Sequence, residues 1–79
     1  MEKMNAKDFF RQGTEGMRIR YGTGTPDERT VDVRQIGRES MYAWTSDVST
    51  GARVWLFLNA GLLCEGTHRK SFGFVEIVS

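Results

Sequence analysis

The chain has 79 residues, too few for more than one hydrophobic core, so residues 1–79 are expected to form a single domain. Its 11 Lys and Arg residues nearly balance 10 Asp and Glu residues, and the net charge of +1 excludes strong global attraction to a polyanion. The single cysteine, Cys64, excludes an intrachain disulfide, and one Cys with one His does not make a zinc site. We therefore expect neither a metal nor a cofactor.

A short helix is predicted near the N-terminus, at about residues 5–12. Asn5 is a good N-cap, and Asp8 lies in the first helical turn, where the positive end of the helix dipole favours its charge. Gly13 is expected to end the helix in the left-handed conformation. Because a helix of about two turns is unstable alone, the two phenylalanines that follow Asp8 must dock it onto the rest of the domain.

The rest of the chain, about residues 16–78, alternates apolar and polar residues with the two-residue period of β-strands. Turns interrupt this pattern about every eight to twelve residues, which is typical of an all-β fold. Gly73, inside the last strand, predicts a bulge or a sharp bend. We expect a mainly β fold, a five-stranded antiparallel SH3-like barrel with the short helix packed across it. The predicted strands cover residues 17–21, 29–36, 40–46, 53–59 and 71–78.

The strand at residues 53–59 has the most distinctive sequence. Five consecutive apolar residues run from Val54 to Leu58, between a Ser-Thr-Gly turn and an Ala-Gly break. An apolar run of strand length predicts a strand covered on both faces. In so small a domain, this strand is expected to cross the middle of the core and to bury Trp55 or its apolar neighbours.

Residues 60–70 are the least regular part of the sequence. The apolar stretch 60–64 is compatible with a single helical turn or with a loop, and its leucines either plug the barrel or anchor a partner. Cys64 and His68 are four residues apart and would meet on a helical turn as nucleophile and base. Catalysis also needs an orienting group and an oxyanion site, which no motif in the sequence supplies. We therefore expect a non-catalytic protein, with Cys64 buried and His68 solvated.

Four short motifs follow one another within residues 17–58, separated by polar turns. They are Ile19-Arg20-Tyr21, Arg29-Thr30-Val31-Asp32-Val33 followed by Ile36, Tyr42-Ala43-Trp44, and Arg53-Val54-Trp55. This order resembles the WYL domain, an SH3-like or Sm-like barrel found in bacterial regulators. The signature triplet of that family would fall at residues 41–43 and would keep only its tyrosine. The resemblance implies a barrel that senses a ligand or a nucleic acid through basic residues lining its site.

Arginine dominates the basic residues, with eight Arg and three Lys. Its planar guanidinium suits phosphates and aromatic faces, although composition bias would give the same count. Tyr42 and Trp44 would stack bases if they are exposed, and would belong to the core if they are buried. Both alternatives remain open from the sequence. The candidate ligand or nucleic-acid-binding residues are Arg18, Arg20, Arg34, Arg38, Tyr42, Trp44 and Arg53.

These observations predict a small regulatory or accessory binding module. A nucleic acid or another anionic ligand is the leading partner, and a protein is the alternative, which would make the chain an interaction module or an inhibitor of a larger protein. The two classes differ in salt response, which is steep for a nucleic acid. We expect no membrane association, because no apolar run approaches the roughly 18 residues that span a bilayer. The unpaired thiol and the polar N-terminus indicate a cytoplasmic protein.

Overall fold

A computed structural model describes residues 2–66 and 70–79. These residues contain one helix and eight strands, and the eight strands form a single antiparallel sheet, which confirms the mainly β fold class. The elements in chain order are β1 (Glu2–Asn5), α1 (Ala6–Gln12), β2 (Arg18–Tyr21), β3 (Arg29–Gly37), β4 (Tyr42–Asp47), β5 (Arg53–Asn59), β6 (Leu62–Glu65), β7 (Ser71–Phe72) and β8 (Phe74–Ile77).

Every strand predicted from the sequence corresponds to a strand of the structure, but the described residues contain eight strands and not five. β1 precedes the helix, and β6 replaces the helical turn or loop expected at residues 60–64. The last predicted strand divides at Gly73 into β7, which pairs with β6, and β8, which pairs with β1 and β2. The predicted bend at Gly73 is thus the point where the chain passes between opposite parts of the sheet.

The sheet is strongly curled but is not closed. Its strand order is β1-β8-β2-β3-β4-β5-β6-β7, so β1 and β7 are its two edges. Eight strands about 4.8 Å apart would extend a flat sheet over roughly 34 Å, whereas the longest extent of the molecule is 28 Å. Tyr21 of β2 and Phe72 of β7 lie far apart in this order, yet their ring centroids are only 4.9 Å apart. The curl therefore brings the two sides of the sheet together.

The N-terminal helix forms as its sequence predicts. The side chain of Asn5 accepts a 2.7 Å hydrogen bond from the backbone N–H of Asp8, the expected N-cap. Ala6, Phe9 and Phe10 are fully buried, and the two phenylalanine rings pack edge to face with centroids 5.0 Å apart. This apolar face contacts β5, β6 and β8, so docking on the sheet stabilises a helix too short to persist alone.

The end of the helix differs from the prediction, because Gly13 is extended (φ −63°, ψ 153°) and not left-handed. Arg38 makes the left-handed turn unnecessary: its guanidinium donates hydrogen bonds to the carbonyls of Phe10 (3.2 Å) and Gly13 (2.7 Å). Glycine is still required here, since a Cβ on Gly13 would lie 2.6 Å from the Phe9 carbonyl oxygen. Arg38 therefore supports the helix end and is turned away from the predicted binding surface.

The core lies inside the curled sheet, beneath the helix. Its strand residues alternate with outward-facing ones, and they include Ile19, Tyr21, Val31, Val33, Val54, Leu56, Leu63 and Val75. The expectation that β5 is covered on both faces is wrong. Leu56 is fully buried, whereas the adjacent Trp55 is 44% exposed. β5 has one core face and one outer face because only the inside of the curl is filled by side chains.

Candidate functional site

The outer surface of β3 is shaped by a β-bulge. The register with β4 shifts between Val33 and Gln35, which makes Arg34 the extra residue. As a result Arg34 and Gln35 are both exposed, and Ile36 returns to pack against the core. Val33 and Ile36 are three residues apart, so both can face inward only if a bulge intervenes. The bulge thus places two consecutive polar side chains on the outer surface.

Four aromatic side chains lie beside this bulge, on the outer faces of β4 and β5. Trp44 is directly opposite Trp55, with ring centroids 6.4 Å apart. Tyr42 is directly opposite Phe57, and these rings are stacked with centroids 5.6 Å apart. We call these four residues the aromatic patch.

The aromatic patch is accessible. Tyr42 is 50% exposed and Trp55 is 44% exposed, while Trp44 and Phe57 are partly buried. None of the four lies in the buried core. The sequence left open whether Tyr42 and Trp44 are exposed or belong to the core, and the structure places both on the outer surface. Exposed aromatic side chains that form one continuous cluster are typical of binding sites.

Two arginines border the aromatic patch on the side of the tryptophans. The guanidinium carbon of Arg53 lies 4.7 Å from the ring centroid of Trp44, a cation–π contact. The Nε of Arg34 donates a 3.1 Å hydrogen bond to the hydroxyl of Ser46, the residue directly opposite Arg53. The surface therefore combines flat apolar rings with two guanidinium groups.

A shallow depression of about 230 Å³ lies between the bulge and the tryptophans. It is lined by Gln35, Gly37, Ser40, Tyr42, Ala43, Trp44 and Trp55. The indole Nε1 of Trp44 donates a 2.9 Å hydrogen bond to Oε1 of Gln35, which ties the side chain of the bulge to the aromatic ring. Aromatic and polar groups thus meet in one open concavity.

Of the seven residues proposed from the sequence, the structure brings four together. Arg34, Tyr42, Trp44 and Arg53 form one surface. Arg38 lies at the end of the helix. Sequence reasoning did not include Gln35, Trp55 and Phe57, which complete the site. Strict alternation along β5 would have placed Trp55 and Phe57 on the face that also carries Arg53.

Arg18 and Arg20 lie on β2, beside this surface. Arg18 forms a two-point ion pair with Asp32, in which Nε is 2.7 Å from Oδ1 and NH2 is 3.2 Å from Oδ2. The hydrogen bond from Arg18 lowers the pKa of Asp32, and the same bond raises the pKa of Arg18. Nε of Arg20 donates to the hydroxyl of Thr30 at 3.3 Å. Both guanidinium groups are thus engaged with β3.

A buried polar cluster lies on the other side of the sheet from the aromatic patch, where the curl brings β2 and β6 together. The Tyr21 hydroxyl donates to Oε2 of Glu65 at 2.6 Å, and Nε of Arg29 lies 2.8 Å from the same oxygen. A second nitrogen of Arg29 lies 2.6 Å from Oδ2 of Asp47. Burial, followed by the hydrogen bond to Glu65, raises the pKa of Tyr21. These groups satisfy one another and stabilise the curl.

The described residues offer no constellation for metal binding. Among residues 2–66 and 70–79 no three His, Cys, Asp or Glu side chains are arranged to hold a metal ion. Cys64 is buried, as expected, and its Sγ lies 3.6 Å from the Ser71 hydroxyl oxygen. The predicted solvated position of His68, and its pairing with Cys64, lie outside the described residues. Within the described part of the chain, no helix is long and apolar enough to cross a membrane.

Comparison of the chain with protein-family models, curated proteins and solved structures found no match. The aromatic patch is therefore interpreted from its own geometry, charge and exposure. The patch presents exposed aromatic rings beside the guanidinium groups of Arg34 and Arg53.

Proposed function

We propose that this protein is a non-catalytic module that binds single-stranded nucleic acid on its aromatic patch. Bases stack on the exposed rings, and phosphates contact Arg34 and Arg53. The observation that carries the proposal is the cross-strand pair of Trp44 and Trp55 on an exposed face, with the guanidinium of Arg53 held over the Trp44 ring. Rings and cations in this combination are what single-strand-binding surfaces use.

The spacing of the rings supports a ligand that repeats along the strands. The pair of Tyr42 and Phe57 is two residues from the pair of Trp44 and Trp55 on both strands. Residues two apart on a strand are about 6.8 Å apart. This separation is suited to successive bases of an extended single strand, which are not stacked on each other. Each base that stacks on an aromatic ring contributes about 1–3 kcal/mol to binding.

The local charge favours a nucleic acid over a neutral ligand. Arg34 and Arg53 lie beside the patch, and the carboxylate of Asp32 in the same part of the sheet is neutralised by Arg18. The outer face of β3, β4 and β5 is thus locally positive, although the whole chain has a net charge of only +1. Local positive charge attracts phosphates over about 10 Å, the Debye length at moderate salt.

Strand connectivity supports the SH3-like interpretation of the fold. β2, β3, β4 and β5 form an antiparallel meander, and the terminal strand β8 pairs with β2. We propose that these strands form an open SH3-like barrel, to which β1, β6 and β7 are additions. The resemblance to the WYL domain, which implies a sensor of nucleic acids or other ligands, agrees with this proposal.

Fluorescence anisotropy with a labelled single-stranded oligonucleotide of mixed sequence tests the proposal. Trp55→Ala is expected to weaken binding by about tenfold, the effect of losing one stacked base. Phe74→Ala is the matched control, because Phe74 is an equally exposed aromatic residue (44%) on β8, outside the patch. Equal effects of both variants, or no binding by the wild type, would overturn the proposal.

Salt and charge variants distinguish a nucleic acid from a protein partner. The double variant Arg34→Ala with Arg53→Ala should reduce the slope of log K against log salt by about 1.4, because each phosphate contact on a single strand contributes about 0.7. Lys7→Ala with Arg11→Ala removes the same charge from the exposed side of α1 and should leave the slope unchanged. If the affinity depends neither on salt nor on these arginines, a protein interface is supported instead. Trp, Tyr and Arg also contribute most of the binding energy at protein interfaces.

A further inference from the structure

The side-chain amide of Gln35 is held in one orientation. The indole N–H of Trp44 is a donor only, so the group that faces it at 2.9 Å must be the carbonyl oxygen of Gln35. The amide nitrogen, with its two N–H donors, takes part in no hydrogen bond with the described residues. Gln35 therefore offers donors to a ligand, while its acceptor is already used within the protein.

The bulge places this amide beside the tryptophan rings. Without the bulge at Arg34, strict alternation from the inward-facing Val33 would turn Gln35 toward the core. With it, Gln35 lines the same depression as Trp44 and Trp55. A base that stacks on these rings would lie next to the amide nitrogen, while the adjacent Arg34 remains at the rim, where a phosphate would pass.

We propose that Gln35 selects bases that carry a carbonyl group on the edge opposite the sugar. This inference rests on the proposed function. The backbone stays at the rim with the arginines, so the edge far from the sugar enters the depression first. On that edge uracil, thymine and guanine present a carbonyl oxygen, whereas cytosine and adenine present an amino group. An amide that presents only donors binds the carbonyl and opposes the amino group.

The selectivity is moderate in size because it depends on one neutral hydrogen bond. Such a bond, together with the penalty for two donors facing each other, corresponds to about a three- to tenfold difference in affinity. Stacking on the tryptophans does not contribute to this difference, since every base has a π-face. Selectivity and affinity are therefore carried by different residues and can be measured separately.

Oligodeoxyuridylate and oligodeoxycytidylate of equal length, about eight nucleotides, are the direct probes. They differ at the fourth position of the pyrimidine ring and in the protonation of the adjacent nitrogen, and they have the same backbone charge. The wild type should bind the uracil oligomer about three- to tenfold more tightly. Gln35→Ala should bring the ratio close to one, and Gln35→Glu should favour cytosine, because the second carboxylate oxygen accepts from the amino group. The added negative charge of Glu weakens the binding of both oligomers equally, so it does not change the ratio of their affinities. Thermal unfolding verifies that both variants are folded.

The possible results separate the nucleic-acid function from the role of Gln35. If neither oligomer binds the wild type, the proposed function and this inference both fail. If both bind equally, or if Gln35→Glu leaves the ratio unchanged, the nucleic-acid function stands and the role of Gln35 is overturned. As a matched control, Trp55→Ala should weaken the binding of both oligomers by a similar factor, because it removes stacking and leaves the amide of Gln35 in place.

Discussion

The hydroxyl of Tyr21 donates a 2.6 Å hydrogen bond to Glu65, joining β2 to β6 where no backbone ladder connects them. Arg29 extends this contact by bridging Glu65 and Asp47, at 2.8 and 2.6 Å. Side chains thus hold the curl of a sheet that its backbone hydrogen bonds leave open.

Tyr21→Phe should lower the free energy of unfolding by about 1–3 kcal/mol, because it leaves a buried carboxylate with one partner fewer while keeping the ring. Urea denaturation followed by circular dichroism measures this change. Tyr42→Phe removes a hydroxyl from an exposed ring and should change the free energy by less than about 0.5 kcal/mol. Equal effects of the two variants would show that the hydroxyl of Tyr21 does not stabilise the fold.

The same cluster predicts a loss of stability at alkaline pH. Burial is the main cause that raises the pKa of Tyr21, and the hydrogen bond to Glu65 raises it further. The folded protein therefore keeps the phenol proton at a pH at which the unfolded chain has lost it. The stability that the protonated Tyr21 contributes to the fold is fully present below about pH 10, the ordinary pKa of tyrosine, and is lost as the pH rises further. Tyr21→Phe should therefore lose less stability than the wild type between about pH 9 and about pH 11. Equal losses would contradict this account.

Truncation of two adjacent residues of β5 should affect different properties, stability for Leu56 and oligonucleotide binding for Trp55. Leu56 is fully buried, so Leu56→Ala should lower the free energy of unfolding by about 2–5 kcal/mol. Trp55→Ala should cost clearly less stability, because Trp55 is 44% exposed, but it should reduce oligonucleotide binding. Urea denaturation and anisotropy on both variants test this separation. A larger stability loss for Trp55→Ala would restore the expectation of a strand buried on both faces.

The fold was predictable from the sequence where local signals decide it. The two-residue period located the strands, Asn5 located the start of the helix, and Gly73 located the bend that separates β7 from β8. The apolar run from Val54 to Leu58 led to the wrong prediction of a strand covered on both faces, because hydrophobicity does not distinguish a core residue from an exposed aromatic one. Whether the outside of β5 is covered depends on how far the sheet curls, and that is set by distant contacts such as Tyr21 with Phe72.

The site was predictable only in part for a similar reason. Arg34, Trp44 and Arg53 have residue types that suggest binding, and they lie together. Gln35 was missed because strict alternation from Val33 would turn it inward. The three-residue spacing from Val33 to Ile36 is the signal that would have revealed the bulge. The position of Arg38 could not be predicted because its partners, the carbonyls at the end of α1, are more than twenty residues away in the chain.

Arg38 and Arg53 provide a test of their different roles. Arg38→Ala removes two hydrogen bonds from the helix end and should lower the free energy of unfolding by about 1–3 kcal/mol, with unchanged oligonucleotide binding per folded molecule. Arg53→Ala should weaken binding and leave stability nearly unchanged. Thermal unfolding and anisotropy provide the two readouts. Weakened binding by a folded Arg38→Ala variant would return Arg38 to the binding surface.

The central claim is that the outer aromatic face binds single-stranded nucleic acid, and a chemical-shift titration of the isotope-labelled protein tests it most directly. A mixed-sequence oligonucleotide should shift the indole N–H signals of Trp44 and Trp55 and the amide signals around Arg34 and Arg53. The shifts should shrink as salt rises from about 50 to about 200 mM, and the amides of α1 should stay in place. Unmoved indole signals, or shifts confined to other strands, would contradict the account.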